Sequence, residues 1–189
     1  MSLVLTFELL DHPDPIRILR RGIERVRATP FGGAQIAASS AYQAGPGLVA
    51  VDVDVPQDPR IYQGLLFVLL EVDLWERSFM EIPSVLAGGI AFEPEPPGVE
   101  WWRSSYAIRQ RGAADCEDIA TDYAAELVLA GFVAAPALEL ELERRPDGGR
   151  AFHVVTMASD GSGPLERLDP SAEIEAQNAS LPGEAGSWL

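Results

Sequence analysis

"RGAADCEDIATDYAAELVLAG", Arg111 to Gly131, holds the chain's single cysteine. Asp115 is a preferred N-cap residue, and Asp118 three positions on makes a carboxylate version of the capping box. Ile119, Ala120, Tyr123, Ala124 and Leu127 recur at helical spacing, and Gly131 suits the position just past a helix end. The pattern predicts a helix that opens at Cys116. Unpaired backbone N–H groups and the helix dipole favour a thiolate there. Two acids flank the sulfur and oppose this. With Asp115 turned inward as a cap and Glu117 turned outward to water, screening leaves the helix end dominant. Read alone, the segment fits better a cysteine used as a small core hydrophobe, the commoner use of the residue.

The downstream sequence bears on that choice. In "PALELELERRPDGGRAFHVVTMASDG", Leu138, Leu140 and Leu142 alternate with Glu139, Glu141 and Glu143 before the turn "RPDGGR". The stretch predicts a hairpin with "AFHVVTMAS" as the return strand. There His153 shares a face with Val155 and Met157, opposite Phe152 and Val154. After a second turn, "DGSGP", a short strand leads into "LDPS", where Asp169 either joins the chemistry or caps the turn. Cysteine on a helix start, histidine on a strand and aspartate after the next strand is the order of a cysteine triad.

These residues resemble a family. "DCEDIATDYAAELVLAG", then "FHVV", then "LDP" is similar to the transglutaminase-like superfamily, notably its bacterial cysteine-peptidase branch, over residues 100–171. The resemblance implies an α+β, papain-like core in which a Cys-bearing helix packs on an antiparallel sheet. By it, Cys116 is the nucleophile, His153 the general base and acid, and Asp169 the orienting carboxylate. Trp101 and Trp102 stand where relatives supply a group near the oxyanion or acyl pocket, and Gln110 competes for that role. The chain departs from relatives in having Ala114, where they carry Gly before the Asp-Cys pair. It also lacks an aromatic residue after the His and a Trp before the final Asp. These departures leave room for an inactive relative.

Outward from this core, "SLVLTFELL" predicts a strand at residues 2–10, ended by the prolines of "DHPDP", where His12 reads as a surface residue. "PIRILRRGIERVRA" places Ile16, Leu19, Ile23 and Val26 at helical spacing, with Arg17, Arg20, Arg21, Arg25 and Arg27 as the one basic patch. "GLVAVDVDVP" alternates as a half-buried strand, and residues 61–80 read as a core helix, with strand in part of the run as the alternative. The proline-rich "AFEPEPPGVEWW" is the natural internal boundary. The expected organisation is an N-terminal α/β extension at 1–92, the core at 93–171 and an acidic tail at 172–189. That tail is turn-rich and expected to be flexible alone, held by an oligomer or larger assembly through Trp188 and Leu189.

Composition narrows the function. The chain has 189 residues, 47% of them hydrophobic, and a formal net charge of −15. All fourteen basic residues are arginine. Such an acidic chain is not expected to bind nucleic acid or anionic membranes. One cysteine makes no internal disulfide, and one Cys with two His offers too few soft ligands for zinc, so neither metal nor cofactor is expected. "MSLVLTFELLDHPDP" has no positively charged n-region, and the expected location is cytoplasmic at synthesis. Two functions remain: a thiol peptidase or amidase acting on a protein or peptide, or an inactive scaffold docked in a larger assembly such as a phage-type particle.

Overall fold

A computed structural model describes residues 2–32, 35–95, 100–144 and 150–180. The chain opens with strand β1 (Ser2–Leu10). Leu5, Phe7 and Leu9, two residues apart, are fully buried on one face, and Thr6 and Glu8 between them are buried on the other. Helix α1 (Pro13–Arg27) follows, with proline in its first turn and His12 as N-cap. His12 Nδ1 accepts the Asp14 N–H at 3.2 Å, and the ring stacks on Trp75 at 5.1 Å, so it has a structural task.

Short strands β2 (Ala37–Ala38) and β3 (Tyr42–Gly45) lead into β4 (Leu48–Pro56). β4 pairs antiparallel with β1 along its whole length, from Ser2↔Pro56 to Leu10↔Leu48. Val51, Val53 and Val55 face the core, as the alternation predicts. Asp58 then caps the long helix α2 (Pro59–Phe79), accepting the Arg60 N–H at 2.9 Å.

Beyond α2, β5 (Ala91–Phe92) pairs parallel with β7 (Ala113–Ala114), while β6 (Glu100–Arg103) pairs parallel with β1. Between them lies α3 (Ser105–Arg111), stopped by Gly112 at φ 69°, a left-handed conformation that glycine adopts without strain. The last third of the chain comprises α4 (Cys116–Leu129), β8 (Val133–Arg144), β9 (Arg150–Ser159), β10 (Glu166–Leu168) and α5 (Pro170–Ser180). β8, β9 and β10 form an antiparallel sheet in the order β10-β9-β8. The hairpin turn at 145–149 lies outside the described residues.

α4 packs between this sheet and α2. Thr156 of β9 donates its hydroxyl hydrogen to the Ala120 carbonyl at 2.8 Å, tying sheet to helix. On α2, Gln63 brackets Pro136 of β8. Its Nε2 donates to the Pro136 carbonyl at 2.9 Å, and its Oε1 accepts the Leu138 N–H at 2.8 Å. Tyr62 meets Phe152 edge to face at 5.5 Å, as Phe7 meets Trp102. One hydrophobic cluster therefore runs from Leu5 through α2 to Ala120 and Val154. Residues on both sides of the proline-rich boundary share a core, because β6 crosses back to pair with β1 and α2 covers β8.

The chain is thus mixed α+β, with helix on antiparallel sheet in its C-terminal part. The tail differs from expectation. Residues 170–180 form α5, and Ile174 is buried against Val85, Ile90 and Ile119. An apolar side chain packed on α4 stabilises a helix that composition alone reads as flexible. Trp188 and Leu189 lie outside the described residues. Among the described residues no helix is long and apolar enough to cross a membrane.

Candidate active site

Cys116 is the first residue of α4, and Asp115, 5% exposed, is its N-cap. Asp115 Oδ1 accepts the Asp118 N–H at 3.4 Å, one half of the expected capping box. The other half is not made. The fully buried Asp118 carboxylate turns to β6, accepting the Arg103 N–H at 2.6 Å and an Arg103 guanidinium hydrogen at 3.4 Å. This exchange fastens the first turn of α4 to the strand beside β1.

The sulfur is half-buried, and its thiol donates to Glu117 Oε2 at 3.1 Å. The outward-facing Glu117 expected from sequence is not found. Neither is a helix end that dominates the thiol. Burial pushes the Cys116 pKa strongly upward, and the charges of Glu117 and then Asp115 add to it. The backbone of Val154, in β9, works the other way by hydrogen bonding to the sulfur. In the resting chain Cys116 is a neutral thiol, because a desolvated thiolate beside carboxylates costs more than the helix dipole returns.

His153 is the residue before Val154. Its Nε2 lies 2.9 Å from Asp169 Oδ2. Burial would raise the Asp169 pKa, but hydrogen bonds from His153, the Ala172 backbone and Ser171 outweigh it and hold the carboxyl below its usual range. An ionised carboxylate only accepts, so Nε2 carries a proton toward Asp169, and in the neutral imidazole Nδ1 is the acceptor. Asp169 also performs the capping role weighed against catalysis: its Oδ1 accepts the Ser171 hydroxyl at 3.0 Å and the Ala172 N–H at 3.2 Å, in the first turn of α5. Arg167 bridges Asp169 Oδ2 and Glu139, and Glu139 stands opposite His153 in register.

Of the six sequence candidates, His153 and Asp169 are joined directly. Cys116 reaches the backbone beside them, but among the described residues its sulfur makes no hydrogen bond to the imidazole. Trp102 is buried against Phe7 and Tyr62, with its Nε1 unpartnered. Trp101 is exposed, with the Arg103 guanidinium 6.0 Å from its ring. Gln110 is exposed on α3 and makes no hydrogen bond to Cys116, His153 or Asp169 among the described residues.

Two acids at the start of α4 depart from the sequence expectation: Glu117 meets the thiol rather than water, and Glu95, in the proline-rich connector, lies close enough to Asp115, Asp118 and Glu117 to interact with their charges. Glu95 accepts the Trp101 N–H, and burial together with the nearby Asp118 charge pushes it up to about 9. Its "EPEP" setting gives no periodic signal by which a sequence reading could place it. Among the described residues no group of three or more His, Cys, Asp or Glu side chains is arranged to hold a metal ion. Comparison with family models, curated proteins and solved structures returns no match to this chain.

Proposed function

We propose that the chain is a transglutaminase-like, cysteine-dependent acyl-transfer enzyme of the peptidase or amidase kind. The observation that carries this reading is the His153–Asp169 hydrogen bond at 2.9 Å. It orients an imidazole with Nδ1 free, on the residue next to the one whose backbone meets the Cys116 sulfur. In the proposed reaction Nδ1 takes the thiol proton and the thiolate attacks an amide carbonyl carbon. The C–N bond breaks, and the imidazolium returns its proton to the leaving amine. Water, deprotonated by the same imidazole, then cleaves the thioester and regenerates the thiol. Asp169 remains ionised and steadies the imidazolium. The substrate of this reaction is a protein or peptide.

A second reading has its own support. The thiol bonded to Glu117, with its pKa driven upward, is what an inactive scaffold that kept the fold would show.

The test is acyl transfer from p-nitrophenyl acetate, followed by mass spectrometry of the peptide carrying Cys116. The enzyme reading expects an acetyl adduct on Cys116, and its formation falls about 100-fold or more in His153→Ala, the usual scale of general acid–base assistance. Equal, slow acetylation in both proteins would establish the scaffold.

A further inference from the structure

The basic patch on α1 takes no part in the acyl-transfer site. Arg17, Arg20, Arg21, Arg25 and Arg27 are all exposed there. In a chain with 29 acidic residues an arginine has carboxylates within reach. Away from α1, Arg60, Arg77, Arg103, Arg109, Arg111 and Arg167 each pair with an Asp or Glu. On α1, Arg17 meets Asp14, Arg25 meets Glu71, and Arg27 lies 3.6 Å from Glu24. Arg20 and Arg21 differ: among the described residues neither forms an ion pair or a hydrogen bond to a carboxylate. Arg20 also borders two hollows. One, of about 400 Å³, separates α1 from strand β2, with Arg20, Glu24 and Arg27 on one wall and Ala37, Ala38 and Ser40 on the other. The second, of about 570 Å³, follows the helix past Arg21 and Arg25 to Ala28. Glu24 is the one carboxylate lining either hollow. Among the described residues β2 pairs with β4 alone, so its other edge keeps backbone groups free for a further strand.

We infer that the cleft between α1 and β2 docks an extended, acidic segment of a partner protein. Charge complementarity selects this occupant. Arg20 and Arg21 hold their forked donors unused, and a carboxylate fits that geometry in two parallel hydrogen bonds. The net charge of −15 repels a long polyanion such as nucleic acid, whereas a short acidic segment feels mainly the arginines beside it. Arg20 and Arg27 stand about 10 Å apart along the helix axis. Same-face side chains of a strand recur about every 7 Å, so two carboxylates of one segment span that distance within the reach of arginine. Glu24 lies between the two arginines and repels an anion at the middle of the cleft, which favours two separated carboxylates over a single phosphate. An extended peptide also uses what a small anion leaves unused, the open edge of β2. Main-chain bonds to that edge supply affinity, and the arginines choose acidic side chains. This surface is independent of the acyl-transfer reading.

The probe is a fluorescein-labelled peptide of alternating Glu and Val, titrated with the full chain at low salt and followed by fluorescence anisotropy. A Gln/Val peptide, a labelled oligothymidine and inorganic pyrophosphate as competitor are run beside it. The acidic peptide is expected to bind about tenfold or more tightly than the Gln/Val peptide, with an affinity that falls as salt rises. Arg20→Gln is expected to weaken it about tenfold, the scale of one charge-assisted hydrogen bond, and Arg20→Gln/Arg21→Gln further. Arg17→Gln removes the same charge from the same helix outside both hollows, and its effect stays below about twofold. N-methylating alternate peptide nitrogens weakens binding about tenfold in one of the two registers, because those nitrogens face the strand edge. Circular dichroism checks that the variants fold, and no readout depends on Cys116. Equal binding by wild type and the double variant, or of the Glu and Gln peptides, overturns the docking surface. Displacement by pyrophosphate with no effect of N-methylation in either register assigns the arginines to small anions and overturns it too. So does tighter binding of the oligothymidine.

Discussion

His153 Nε2 sits 2.9 Å from Asp169 Oδ2, while the other oxygen of the same carboxylate caps α5. One side chain therefore orients the imidazole and starts the last helix, and the two tasks separate by mutation. Asp169→Ala loses both, with the cap alone worth about 1 kcal/mol. Asp169→Ser restores a capping hydroxyl but is too short to hold the imidazole. Urea unfolding is expected to show Asp169→Ser recovering most of that cap energy. Acetylation of Cys116 in it stays as low as in Asp169→Ala. Full recovery of acetylation would mean the carboxylate serves only the helix.

Stability should fall from mildly acidic to alkaline pH. Burial lifts Glu76 to about 7 even though the Tyr106 and Leu10 N–H groups and the Ser104 hydroxyl donate to it. Burial lifts Asp118 to about 8 against the opposing pull of Arg103. Glu95 stands at about 9. Each carboxyl keeps its proton longer in the folded chain than in the unfolded one. Its stabilising share is complete below the ordinary carboxylate range and is lost as pH rises through the folded value. For Glu76 the window runs from the ordinary glutamate value up to about 7, and its share is about 3 kcal/mol at most. Urea midpoints are expected to drop between pH 5 and 9, with a shallower slope in Glu76→Gln across the Glu76 window. A midpoint that rises with pH contradicts this.

The position of α4 depends on a buried ion network two turns beyond Cys116. Arg77 of α2 donates from Nε to Asp122 Oδ1 at 2.5 Å, and Arg109 of α3 reaches Asp122 Oδ2 at 3.3 Å. Asp122 is fully buried and Arg77 nearly so. Arg77→Ala strands a buried carboxylate and is expected to cost about 3–5 kcal/mol in urea unfolding. Arg77→Lys should recover little, since lysine cannot also reproduce the forked bonds to the Ile82 and Pro83 carbonyls.

α1 lies so close to α2 that Gly22 has no room for a side chain. A Cβ there would fall 2.3 Å from a γ-carbon of Val68. Gly22→Ala is expected to destabilise by about 1–3 kcal/mol, the range for overpacking a core. Adding Val68→Ala should offset part of that loss, so the double variant costs less than the two single costs combined. Strict additivity would show that the helices move apart instead.

Local rules made much of this chain legible. Alternating valines in β4, the Asp115 cap, the 3.6-residue spacing of α4 and the Gly131 stop act within a few residues, so the chain states them directly. The order Cys116, His153, Asp169 can be read along the chain as an order only, and the structure joins the last two. What the chain could not state were distances between segments and the dielectric they create. Glu117 turns to the sulfur, Asp118 leaves the capping box for Arg103, Glu95 comes in from a proline-rich connector, and α5 orders through Ile174. The first three follow from the packing of β6, the connector before it and β9 around the start of α4, which removes water from the helix end, and the last from Ile174 packing on Val85, Ile90 and Ile119. A thiol next to acids is open to ionisation in water and is held neutral once it is itself desolvated beside them, so the state of Cys116 belongs to the tertiary structure.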